Sequence, residues 1–121
     1  MRSEPQLKAA VTQASEWLDN AGRFQGEWQG GSRGAGICVI ANRLDTVGGG
    51  PRLHRHPYAE IFVVRLGTGI FTIGSTQVEA STGQILVVPS NTAHKFSNAG
   101  PEPLETIDIH ESGKFITEWL E

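Results

Sequence analysis

Hydrophobic spacing divides the chain into one stretch of helical period followed by a succession of short β runs. Over residues 5–18, Leu7, Ala10, Val11, Ala14, Trp17 and Leu18 recur at intervals of three and four, which places them on one face of an amphipathic helix. Ser3 with Gln6 has the form of a capping box, Pro5 suits a first turn, and the run from Asp19 to Gly22 ends the helix. Such a helix is expected to lie against the outside of the β structure that follows, or against a partner subunit. Residues 23–36 carry Phe24 and Trp28 among many glycines and read as an edge strand and a loose loop.

From Ile37 onward the period changes to that of strands. Apolar runs occupy residues 37–46, 61–66, 70–73, 78–80, 85–88 and 94–96, with turn signals between them at Gly67-Thr68-Gly69, Gly74-Ser75, Ser81-Thr82-Gly83 and Asn98 to Pro101. Short strands at this spacing predict an all-β antiparallel barrel or sandwich. In the last run, Leu104 to His110, Ile107 and Ile109 alternate with Thr106, Asp108 and His110. Either face could turn inward, so the pattern leaves Asp108 and His110 unplaced. The apolar tail 115–120 is expected to dock on the domain or on a second subunit. The division is therefore a helical extension over residues 1–22 and one β domain over residues 23–121.

Composition agrees with this picture and narrows it. A chain of 121 residues is one domain, and its 15 glycines, 6 prolines and 19% charged residues describe a turn-rich β protein. The formal charge of −3 argues against a nucleic-acid partner, which leaves a basic patch; Arg43, Arg52, Arg55 and Arg65 make at most a small local cluster. No stretch is apolar enough for a bilayer span or a secretory leader, so no membrane partner and a cytoplasmic location are expected. The single cysteine, Cys38, lies in an apolar run and reads as a buried thiol. The triple glycine at 48–50 reads as a flexible loop, with no following helix to cradle a phosphate.

Candidate chemistry gathers between Gly48 and Gly67. His54 and His56 are two residues apart, so on a strand both imidazoles face one way. Glu60 shares their parity, but on a straight strand it would lie roughly 13 Å from His56, too far to share an ion held at about 2 Å. The chain must bend, and Pro57 offers the place: His54 and His56 would end one strand and Glu60 begin the next, antiparallel to it. A further ligand is sought among the remaining histidines. His94 follows an apolar strand and a Pro-Ser-Asn turn, a better setting than that of His110.

At these positions the chain resembles the cupin superfamily, whose two motifs are G-x5-H-x-H-x3-E-x6-G and G-x5-P-x-G-x2-H-x3-N. Gly48, His54, His56, Glu60 and Gly67 match the first, and Gly83, Pro89, His94 and Asn98 match the second. Asn91 stands where the pattern has glycine, and asparagine tolerates the positive φ such a turn demands. The resemblance implies a small antiparallel β-barrel or jelly roll, to which the apolar spacing adds a short N-terminal helix, and one divalent transition metal ion held by His54, His56, Glu60 and His94. Three nitrogens and one oxygen suit Fe, Mn, Ni, Cu or Zn. It also implies a homodimer, and a small organic molecule as substrate or ligand. Small cupins that resemble this chain include dioxygenases, sugar isomerases, lyases and proteins without assigned activity, so the expectation is a metal-dependent enzyme, foremost a dioxygenase. An isomerase or lyase without a redox step is the runner-up, and a non-catalytic binding module is a third reading. Around the metal, His110 and Tyr58 are candidates for catalysis, and Arg52, Phe96 and Trp28 for substrate binding.

Overall fold

A computed structural model describes residues 9–19 and 23–121. Ten strands follow one helical turn, α1 (Ala14–Trp17), in the order β1 (Gly26–Gln29), β2 (Cys38–Leu44), β3 (His54–Arg55), β4 (Glu60–Leu66), β5 (Thr68–Ile73), β6 (Thr76–Ser81), β7 (Ile85–Val88), β8 (His94–Asn98), β9 (Leu104–His110) and β10 (Glu118–Trp119). They form two five-stranded antiparallel sheets, ordered β1-β2-β9-β4-β7 and β10-β3-β8-β5-β6. This is the jelly roll that the resemblance implies, and an antiparallel sandwich of the kind the strand spacing predicts. No helix among the described residues is long and apolar enough to cross a membrane.

Strand alternation sorts the interior into two ends. Inward positions of β4 are Glu60, Phe62 and Val64, those of β8 are His94, Phe96 and Asn98, and those of β9 are Leu104, Thr106, Asp108 and His110; all are buried. Phe62, Phe71 and Phe96 pack ring to ring at 5.1–5.2 Å, and with Val64, Ala80, Val88 and Leu104 they make the apolar core. Glu60, His94, Asp108 and His110 lie at the opposite end of the same three strands. The core thus forms a floor beneath a polar mouth, and the strand period that builds one also aims the other.

Three expectations are corrected. The helix over residues 5–18 is, within the described residues, a single turn at Ala14–Trp17; residues 5–8 lie outside them. Residue 13 at its start is extended, with ψ 151°, and no side chain caps the turn, while Trp28 Nε1 donates to Thr12 Oγ1 at 3.1 Å and holds the preceding segment against β1. One uncapped turn gains too little to propagate against such tertiary contacts. Second, β3 and β4 are not a hairpin: they belong to opposite sheets, so the chain at Pro57 crosses the sandwich. The same is true at Gly67, between β4 and β5, where φ is +84° and a Cβ would fall 2.4 Å from the Pro103 carbonyl oxygen. Third, the triple glycine is pinned rather than loose. Gly48 N donates to Asn98 O and Asn98 N to Gly49 O, and a Cβ on Gly50 would collide with the Phe96 carbonyl.

Candidate metal centre

Four strand ends converge on one point at the polar mouth. His54 lies opposite His94 across the β3–β8 pair, and Glu60 opposite His110 across β4–β9. The crossover at Pro57 brings the two pairs face to face. Asn91, at φ +58°, turns the chain ahead of β8, and its N–H donates to the His56 carbonyl at 2.7 Å, tying the turn of the second motif to the end of the first. One ligand atom from each of His54, His56, Glu60 and His94 lies within 4.8 Å of the other three, and all four residues are buried. The ligand set implied by the motifs is thus assembled in space.

Backbone carbonyls fix how the imidazoles are presented. His54 Nδ1 is 2.6 Å from Arg52 O, His56 Nδ1 2.9 Å from Ile116 O, and His94 Nδ1 2.8 Å from Thr92 O. A carbonyl only accepts, so each Nδ1 carries the proton and each Nε2 turns a lone pair inward. Glu60 Oε1 stands 3.0 Å from His94 Nε2 and 3.1 Å from His56 Nε2, and His56 Nε2 is buried without a hydrogen-bond partner. Lone pairs facing a carboxylate oxygen repel unless a cation lies among them. This donor set fits a divalent transition metal ion, and the carbonyls are the outer partners that orient such ligands.

The electrostatics separate two carboxyls. Burial alone would raise the Glu60 carboxyl, but donation from His110 Nε2, and from His56 and His94 whenever their Nε2 atoms carry the proton, holds it below the usual carboxylate range, so it is ionised. Asp108 is 3% exposed and lies across the β4–β9 pair from Phe62. Burial, helped by the charge on Glu60 and opposed by a 2.6 Å bond from Thr106 Oγ1, raises it well above the ordinary value. Burial lowers His54. His56 is raised, contact with Glu60 and the Ile116 carbonyl outweighing burial.

Behind Glu60 runs a line of hydrogen bonds. His110 Nε2 is 3.1 Å from Glu60 Oε2, and its Nδ1 is 2.6 Å from the Tyr58 hydroxyl. Ile116 N donates to that hydroxyl at 3.3 Å. With Tyr58 donating to Nδ1, His110 holds its proton on Nε2 and presents it to the carboxylate. Burial raises the Tyr58 phenol, which keeps it protonated for that role. Of the two residues proposed for catalysis, His110 contacts Glu60 and lines the cavity, while Tyr58 stands behind it and stacks on His56 at 5.0 Å.

A cavity of about 400 Å³ opens over three of the four ligands, His54, His56 and Glu60. Its wall includes His54, His56, Glu60, Asp108, His110 and Phe96, so Phe96 is where a substrate-binding residue would be. Arg52 is not in that wall. It is exposed, with its guanidinium 5.0 Å from the Trp119 ring, because β3 begins only at His54 and strand parity does not reach residue 52. Trp28 is also absent: it packs on the outer side of β1 with Trp17, Thr12 and Val39. Nor do the arginines form a patch, since Arg43 and Arg65 pair with Glu105, and Arg55 with Glu118. Residues the sequence reading did not assign to the wall include Glu27, Asn42, Phe115, Thr117 and Trp119. Asp108 shares the parity of His110, so recognising His110 as inward would have placed both.

Comparison with known proteins agrees with this geometry. The family model described as a cupin domain matches residues 45–110. The chain is similar to a mannose-1-phosphate guanylyltransferase from Klebsiella pneumoniae, 32% identical over 80 residues, which are 64% of this chain and 17% of that protein; it thus spans about a sixth of that relative. Among solved structures, an uncharacterized conserved protein with a double-stranded β-helix domain from Klebsiella pneumoniae superposes with a TM-score of 0.71 at 16% identity, covering 94% of this chain and 99% of the other. An oxalate decarboxylase from Bacillus subtilis, studied for its Mn(II) centres, gives 0.72 at 19% identity, covering 86% of this chain and 29% of that one. The family match spans more than half of the sequence and contains all four converging ligands, so the chain belongs to the cupin family.

Proposed function

We propose that this cupin holds one divalent transition metal ion with His54, His56, Glu60 and His94 and acts as an enzyme on a small organic molecule in the cavity above it. The observation that carries this is the set of three imidazoles whose Nδ1 atoms are committed to backbone carbonyls, leaving three Nε2 lone pairs around an ionised Glu60. When bound, such an ion supplies Lewis acidity, and with four protein donors a six-coordinate ion keeps two positions for a substrate, or for a substrate and dioxygen. A dioxygenase uses both, and is the first reading of the reaction. His110 holds the Glu60 carboxylate in place, Tyr58 holds His110, and Phe96 with Phe115 and Trp119 keeps water off the apolar side. The second reading, an isomerase or lyase, is favoured by Asp108, a buried carboxyl in the cavity wall able to hand over a proton.

The test is elemental analysis of the purified protein beside a His94→Ala variant. Stoichiometric metal lost in the variant supports the centre; absence of metal from the wild type, with none taken up on addition, overturns it. Substrate-dependent oxygen uptake by the Fe(II) form supports the dioxygenase, and anaerobic turnover with Zn(II) or Mn(II) overturns it in favour of the isomerase or lyase. We further propose that the working unit is a homodimer.

A further inference from the structure

We propose that the cavity over the metal centre accepts an uncharged, partly apolar molecule that chelates through one end, and discriminates against molecules that carry a carboxylate at the other end. The proposal rests on the metal-dependent reading above and adds the substrate class.

The wall itself carries the inference. Among the described residues that line it there is no lysine or arginine, whereas three carboxyl-bearing side chains, Glu27, Glu60 and Asp108, all contribute. Arg43 and Arg65 pair with Glu105 and Arg55 with Glu118, while Arg52 is exposed, its guanidinium 5.0 Å from the Trp119 ring, and lies outside the wall. The charge of a dication is taken up by the Glu60 carboxylate and by the chelating end of the substrate, and Glu27 adds a further carboxyl to the wall. Nothing remains to pair with a carboxylate on the far end of a substrate, and leaving such a group unpaired against an apolar wall is costly.

The rest of the wall suits a neutral body. Ile40, Leu44, Pro51, Phe96, Phe115 and Trp119 give it an apolar side, and Asn42 and Thr117 give neutral polar groups. Asp108 spends one oxygen on the Thr106 hydroxyl at 2.6 Å and is paired with no cation. Burial raises its carboxyl, and it brings no cation to the wall. At about 400 Å³ the space is near the small end of ligand cavities, roughly 300–1,000 Å³, enough for one substituted ring.

Two probes with the same chelating head isolate the distal charge: benzohydroxamic acid and 4-carboxybenzohydroxamic acid, titrated calorimetrically into the Zn(II)-loaded protein. The uncharged probe should bind at least about tenfold more tightly, as expected where an unpaired charge opposes binding. An Asn42→Lys variant, which adds a cation to the wall, should close or reverse that gap without loss of zinc. Equal or tighter binding of the carboxylated probe to the wild type overturns the substrate class and leaves the metal centre standing. A gap unchanged in Asn42→Lys also overturns it, because the probe would then lie outside this cavity. Zinc uptake with neither probe bound overturns both the substrate class and the open coordination positions, and failure to take up zinc or any other transition metal overturns the metal-dependent reading itself.

Discussion

Glu60 and Asp108 are buried carboxyls on the inward faces of neighbouring strands, and their surroundings shift them in opposite directions. Three imidazoles face Glu60, while Asp108 has only the Thr106 hydroxyl and the repulsion of Glu60. The consequence for stability has a definite sign. In the unfolded chain Asp108 releases its proton above about pH 3.9, whereas in the fold it keeps it to a higher pH. Its contribution is therefore fully present below about pH 4 and is lost as pH rises toward the folded value. Asp108→Asn removes this loss, so in metal-free protein the variant's Tm should exceed the wild type's by a margin that grows between pH 4 and pH 8, read by scanning calorimetry. A margin independent of pH would show that the carboxyl titrates alike in fold and coil. His110 makes a second prediction. It holds Glu60 Oε2 and is held by Tyr58, so His110→Leu should weaken metal affinity about 10–100-fold in a chelator competition, with Tyr58→Phe losing less because the imidazole remains. Unchanged affinity in His110→Leu would remove it from the site.

At the scale of elements, the strands were legible because alternation is local: the inward residues of β4 and β8 can be read off every second position. The ligands were legible too, since His54, His56, Glu60 and His94 stand in a spaced pattern with turn residues in register. Which sheet each strand joins was not legible. Pro57 and Gly67 mark bends, but a bend within one sheet and a crossover between two have the same sequence signal. The N-terminal periodicity misled for a related reason: its apolar spacing suits a helix, yet Thr12 and Trp28 are joined by a tertiary bond no local pattern records. Least legible was the C-terminal segment. Its strand β10 is two residues long, and it matters through what it touches: Ile116 O and Thr117 Oγ1 at His56 Nδ1, Trp119 5.0 Å from the His54 ring, and Phe115 against His110. Removing residues 115–121 should therefore lower metal affinity by about tenfold or more while urea unfolding stays cooperative, because the phenylalanine core lies at the other end. Phe62→Ala should do the reverse to stability, costing about 3–5 kcal/mol in the same urea titration. If the truncation left metal affinity intact, the strap would be a cover and no part of the centre.

The whole molecule has an outer face that its own described chain does not finish covering. Across the first sheet, one cross-strand row reads Trp28, Val39, Ile109, Ile61 and Val87, and the next reads Ala41, Ile107, Val63 and Ile85. The β1 end of the first row is packed by Thr12 and Trp17, but at the β7 edge Ile85 is 65% and Val87 56% exposed. A row of charge follows, Arg43 and Arg65 on Glu105, so the apolar rows are bounded. A continuous apolar sheet face beside an open strand edge marks a contact surface. Its partner must be flat, uncharged and twisted alike, and a second copy of the chain offers that surface about a two-fold axis. None of these residues lines the metal cavity, so pairing and metal binding can be separated by mutation. Light scattering after size exclusion at micromolar concentration should give a dimer for the wild type, and a monomer with full metal content for Ile61→Lys combined with Val63→Lys. A monomeric wild type would refute the homodimer, and a variant that stayed dimeric would move the interface to another face.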